Sequence, residues 1–204
     1  MKRIQRGFTI VELLIVIVVI GILVGLTTTV WVRAGIGARD RARETETRAW
    51  AGAFDVYKGR FGVYPAMPTN DTTPAYVCLG SFSSTSGKCG IYGGSSSQYI
   101  DATQSPTTTM LANLVKVGNV PTNNAPPVGH QAAGPFVAVT QTTNAATGVI
   151  SVTGSFIDFF ELGCPTSDFT LLTSSSDPTI SAIISALPGY KVCSLGKTFT
   201  YNPN

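Results

Sequence analysis

Among the 204 residues, the side chain whose chemistry stands out most against its surroundings is Glu12, the only ionisable group in the 25-residue stretch Phe8 to Val32 (FTIVELLIVIVVIGILVGLTTTVWV). A carboxylate at the centre of a bilayer-spanning helix costs about 2.5–3.5 kcal/mol on insertion scales, so Glu12 points to a partner of opposite charge rather than to a tolerated polar residue. Other reactive groups are sparse. His130 is the sole histidine and lies in the turn-like PPVGHQAAG, which reads as a solvated loop rather than a general base. Asp158, Glu161 and Asp168 offer oxygens but lack D-x-D-x-D-G spacing, so they read as strand and loop charges rather than calcium ligands. There is no P-loop, G-x-S-x-G or H-E-x-x-H. The expectation is a non-enzymatic chain with no cofactor and no metal.

Cys78, Cys89, Cys164 and Cys193 show no C-x2-C spacing, which with one histidine argues against zinc and for two disulfides. Four cysteines allow three connectivities. Pairing of Cys78 with Cys89 and of Cys164 with Cys193 is favoured, since each pair falls within one local unit and the first brackets a Gly/Ser-rich loop.

The elements that must position these groups follow from where charge and apolarity sit. Charged residues make up 12% of the chain, against a usual quarter or so in soluble domains. Lys2, Arg3 and Arg6 account for the whole net charge of +3. Residues 61–204 hold four lysines, no arginine and six carboxylates, so nucleic acid bound by a basic patch is excluded. About 20 apolar residues cross a bilayer core, so Phe8–Val32 is long enough to span one. A secretory signal has a shorter apolar region and a small-residue cleavage site, neither of which is present. The basic residues before it hold the N-terminus in the cytoplasm and send the C-terminal part outward, an orientation that suits disulfides.

Arg33 to Arg60 continues the helix in an Ala-, Arg- and Glu-rich register, with Ala42, Ala49, Ala53, Val56 and Tyr57 as its apolar face and Asp40, Arg41, Arg43, Glu44, Glu46 and Arg48 on the others. Beyond Pro65, capping residues followed by proline at Ser105-Pro106 and Asp177-Pro178 open two short helices. Strands are expected at 136–141, 149–153, 155–162, 169–173 and 191–201, and Pro65–Ser105 reads as a long surface loop. The fold class is α+β: a long N-terminal helix packed on a small antiparallel sheet.

The string KRIQRGFTIVELLIVIVVIGILVGL resembles a type IV prepilin: a short basic leader ending in glycine, then phenylalanine, a hydroxyl residue, and a glutamate at the fifth place of the mature chain. Here these are Lys2, Arg3, Arg6, Gly7, Phe8, Thr9 and Glu12. Tyr57–Pro65 is similar to the G-x-Y-P turn that often ends the long helix of pilins and pseudopilins, and LANLVKVGNVPTNNAPP resembles the segment between helix and sheet. Many members carry a proline along the apolar stretch; this chain has Gly21 and Gly25 instead, which leaves bending to local melting.

The resemblance implies a leader at 1–7 cleaved between Gly7 and Phe8 by a prepilin peptidase, N-methylation of Phe8, an assembly helix at 8–32, an amphipathic half at 33–60 and an extracellular head at 61–204. Cutting there creates an α-amine with an unperturbed pKa of about 7.7–8.0, which can pair with Glu12 of a neighbouring subunit. Expected partners are other copies of the chain in a helical filament, an inner-membrane platform with its assembly ATPase, the membrane before assembly, and minor pilins. The function implied is a filament subunit for adhesion, motility or DNA uptake. The alternatives are a pseudopilin of a type II secretion or competence system, and a membrane-anchored binding domain that does not polymerise.

Overall fold

A computed structural model describes residues 9–66, 75–79, 99–100, 110, 112–118, 120–121, 135–173, 181, 184–185 and 188–201. One helix, α1 (Ile10–Phe61), runs for 52 residues, and six strands follow: β1 (Ala75–Cys78), β2 (Tyr99–Ile100), β3 (Phe136–Thr143), β4 (Ile150–Phe160), β5 (Phe169–Leu171) and β6 (Lys191–Tyr201). The chain divides into two compact units between Ala38 and Arg39. The architecture is α+β and pilin-like, as expected.

Glycine stops the helix. Gly62 takes a φ of 76°, where an L side chain is strained, and its N–H donates to the Lys58 carbonyl at 2.7 Å, closing the last turn. Pro65 follows, buried, in the turn singled out from sequence.

The sheet order is β2-β1-β3-β4-β6-β5, with β1–β2 parallel and the other pairs antiparallel. β1 and β2 lie in the stretch expected to be loop, where a Ser/Thr/Gly-rich composition masks two short strands. Of the two expected helices, Met110 with Ala112–Val115, and Ser181 with Ile184 and Ser185, are helical. Their proline starts lie outside the described residues.

β4 was expected as two strands broken at Gly154. It is one strand, because Gly154 is there for packing: it pairs with Phe199 on β6, whose ring lies over the glycine, so that an added Cβ would sit 2.1 Å from its Cζ. The ring is in turn wedged against Phe54, Tyr64 and Phe156, with centroids 5.3, 4.9 and 5.8 Å away. Beside this pair β6 bulges: β4 advances from Ser155 to Ile157 while β6 advances from Thr198 to Ser194. The freed Leu195 pairs with Phe169 of β5, and the Gly196 N–H donates to the Asp168 carbonyl.

The core of this unit joins Trp50, Ala51 and Phe54 of α1 to Val77, Val137, Val139, Val152, Phe156, Phe160 and Phe199 of the sheet, with Met110 and Leu114 beside them. Each large apolar side chain buried there contributes about 1.5–3 kcal/mol. Cys164 and Cys193 are bonded, with Cα atoms 5.7 Å apart and 29 residues between them in sequence, tying the segment after β4 to β6. A loop of that length restricts the unfolded chain by about 3–4 kcal/mol in the loop-entropy account. Of the expected Cys78–Cys89 pair, Cys78 ends β1 and Cys89 lies outside the described residues.

Gly154→Ala is expected to expel the Phe199 ring from its seat and to destabilise the folded unit by about 1–3 kcal/mol. By circular dichroism Tm should fall by about 3–10 °C; an unchanged Tm would show that Phe199 moves aside at no cost.

Candidate functional site

Helix α1 begins with two residues that satisfy one another. Thr9 is the N-cap and Glu12 the third helical residue. The Glu12 N–H donates to Thr9 Oγ1 at 3.3 Å, while Glu12 Oε2 accepts the Thr9 N–H at 3.0 Å and its hydroxyl at 2.9 Å. This is a capping box, which satisfies two of the backbone donors a helix start leaves unpaired. Glu12 therefore has a local partner in the single chain. Sequence reading missed the role of Thr9, although T-x-x-E ahead of an apolar run is its signature.

From Ile10 to Val32 every described side chain is exposed, including Ile10, Leu13, Ile17, Ile20, Leu23 and Trp31. This is the one described helix long and apolar enough to cross a membrane. Gly21 and Gly25 would each meet nothing within 4 Å if given a Cβ, so no packing among the described residues requires a glycine there. Small residues at that spacing let a second helix approach closely. The Thr27 hydroxyl donates to the Leu23 and Val24 carbonyls, both at 3.0 Å, which leaves this polar group satisfied on an apolar surface.

From Arg39 onward the helix carries a polar seam. Arg39 makes two bonds to Glu161, at 3.0 and 3.3 Å, and Asp40 accepts the N–H groups of Glu161 and Leu162 at 3.0 and 2.9 Å. Arg43 donates to the fully buried Asp158 at 3.0 Å; the other oxygen of Asp158 accepts the Thr47 hydroxyl at 2.9 Å. Arg48 bridges Asp168, at 2.6 and 2.9 Å, and Glu44, at 3.0 Å. The three carboxylates weighed as calcium ligands thus each face an arginine. Among the described residues no cluster of His, Cys, Asp and Glu is placed to hold a metal ion.

The seam corrects part of the expected helix face, in which Ala53 and Tyr57 do pack against the core. Ala42, Ala49 and Val56 are exposed, whereas Asp40, Arg43, Thr47, Trp50, Ala51 and Phe54 are buried. The buried stripe keeps helical spacing, but half of it is polar because strand groups supply the partners.

Glu46 lies in the same region with Oε1 buried and unpartnered, one turn before the Trp50 indole N–H, which is also buried and outside hydrogen-bonding geometry. Burial, reinforced by the Asp158 charge and opposed by Arg43 and by weak interaction with the indole, pushes the Glu46 carboxyl up to about 7. Burial likewise pushes Asp158 up, against the pull of Arg43, the Phe159 N–H and Thr47.

Because the folded state holds the Glu46 proton more tightly than the unfolded one, this group's contribution to stability is full below about pH 4.5 and is lost as pH rises through about 7. Glu46→Gln should therefore leave Tm nearly unchanged at pH 4.5. At pH 8 it should raise Tm by about 2–5 °C, the shift being discounted for partial exposure. A difference between variant and parent that does not vary with pH would contradict this.

Lys2, Arg3, Arg6, Gly7, Phe8 and His130 lie outside the described residues. Residues 2–28 match the prokaryotic N-terminal methylation motif. No curated protein and no solved structure matches the chain. The match ends within the apolar half of α1, whose side chains are exposed among the described residues. The motif is the class III signal of type IV pilins, and the chain carries it ahead of a pilin-like α+β fold.

Proposed function

We propose that this protein is a structural subunit of a type IV pilus-like filament, inserted in the membrane through α1 and assembled through the same segment. The observation that carries this reading is the methylation motif at 2–28 set on a helix whose apolar surface finds no cover among the described residues. In this reading Lys2, Arg3 and Arg6 orient the precursor, and a prepilin peptidase cuts between Gly7 and Phe8, where glycine lets the backbone lie extended without a side-chain clash. Methylation of Phe8 keeps its amine a cation.

Cleavage leaves Thr9 as the second residue, so the capping box survives it. Glu12 bonds Thr9 through Oε2. Its Oε1 stays open to the cationic amine of an adjacent copy, and that pairing sets register as the subunit enters the bundle. Once the subunit leaves the membrane, packing against like helices contributes about 25 cal/mol per Å² of apolar area kept from water. Identical helices in non-closing head-to-tail contact give a filament rather than a ring. The platform, its ATPase and minor pilins act as assembly partners. A pseudopilin in a short trans-envelope fibre would use the same signal. The larger head, from residue 61 to 204, favours a surface filament.

Glu12→Gln is expected to keep membrane insertion and leader cleavage while incorporation into filaments falls about tenfold or more, read by electron microscopy and immunoblot of sheared surface material. Normal filaments from this variant would remove Glu12 from assembly; loss of cleavage as well would show that it acts earlier.

A further inference from the structure

The end of the apolar run carries two residues that the assembly reading leaves unused. Trp31 is 77% exposed, and Arg33 is exposed with no ion pair or hydrogen bond among the described residues. This sets Arg33 apart from Arg39, Arg43 and Arg48, each taken up by a carboxylate. An indole and an unpaired guanidinium two residues apart, closing a bare apolar helix, present the chemistry that favours a headgroup layer: an amphipathic ring beside a cation that matches phosphate.

Helical rise then acts as a ruler. Trp31 and Arg33 lie 19 and 21 positions beyond Glu12 on one unbroken helix, which at 1.5 Å per residue is roughly 28 and 31 Å. The hydrocarbon core is about 30 Å thick. Between these ends the side chains described are apolar, apart from Thr27, whose hydroxyl is returned to the helix carbonyls.

Resting on the membrane-inserted stage of the function above, we propose that Trp31 and Arg33 anchor α1 to lipid phosphates at the outer leaflet, and so place Glu12 at the inner hydrocarbon boundary rather than in mid-membrane. Glu12 is turned toward Thr9, on the N-terminal side, which directs its carboxylate to the same boundary. Water and headgroups reach it there, so the cost expected of a carboxylate at the helix centre falls away. An incoming subunit's amine meets Glu12 at a wet surface instead of inside the hydrocarbon.

The full chain, reconstituted in phosphatidylcholine–phosphatidylglycerol vesicles, tests this through tryptophan quenching by lipids brominated near the headgroup, at mid-chain or near the bilayer centre. Trp50, buried in the other unit, supplies a constant background. Quenching is expected to be greatest with headgroup-proximal bromines, to move one bromine position deeper in Arg33→Leu, and to return in Arg33→Lys. Greatest quenching from central bromines, or no shift in Arg33→Leu, overturns the anchor while leaving the membrane span intact. No quenching by any lipid sinks the membrane-spanning reading itself.

Discussion

The structure depends on a burial problem that the described part of the chain leaves unsolved. Seventeen large apolar residues at the start of α1 stand in the open, and no segment described covers them. In water such a surface is unfavourable at about 25 cal/mol per Å², so it must lie in lipid or against other copies of itself. In the proposed function the two solutions follow one another in time. A helix whose backbone bonds are all internal suits the bilayer, and a smooth surface broken by Gly21 and Gly25 suits lateral packing.

The same helix changes character at Arg39. Before it, side chains offer area without direction; after it, Arg39, Asp40, Arg43, Thr47 and Arg48 each find a named group on the strands or the segments beside them. Area alone would let an amphipathic helix slide on a sheet. Charges buried with partners resist that, since breaking one pair leaves an uncompensated ion. We take the seam as a device for register, with Trp50 and Phe54 supplying most of the apolar burial and the disulfide restricting the unfolded chain.

Much of this was legible in sequence because it rests on local patterns. The long apolar helix, the strand Lys191–Tyr201 and the Cys164–Cys193 pair depend on composition and spacing within short windows. What escaped depends on partners distant in the chain. Periodicity places Arg43 off the apolar face, since a sequence does not display Asp158, which lies 115 positions away. Gly154 was read as punctuation, since only the ring of Phe199 explains its missing side chain. The capping box is different: Thr9 and Glu12 stand three apart ahead of an apolar run, so the contact that starts the helix is local enough for the sequence to display.

The central claim, that this chain is a processed filament subunit, is most directly tested by the mass of its N-terminal peptide in protein sheared from the surface of cells that retain their own prepilin peptidase. The account predicts a peptide beginning at N-methylated Phe8. A peptide beginning at Met1 would contradict it.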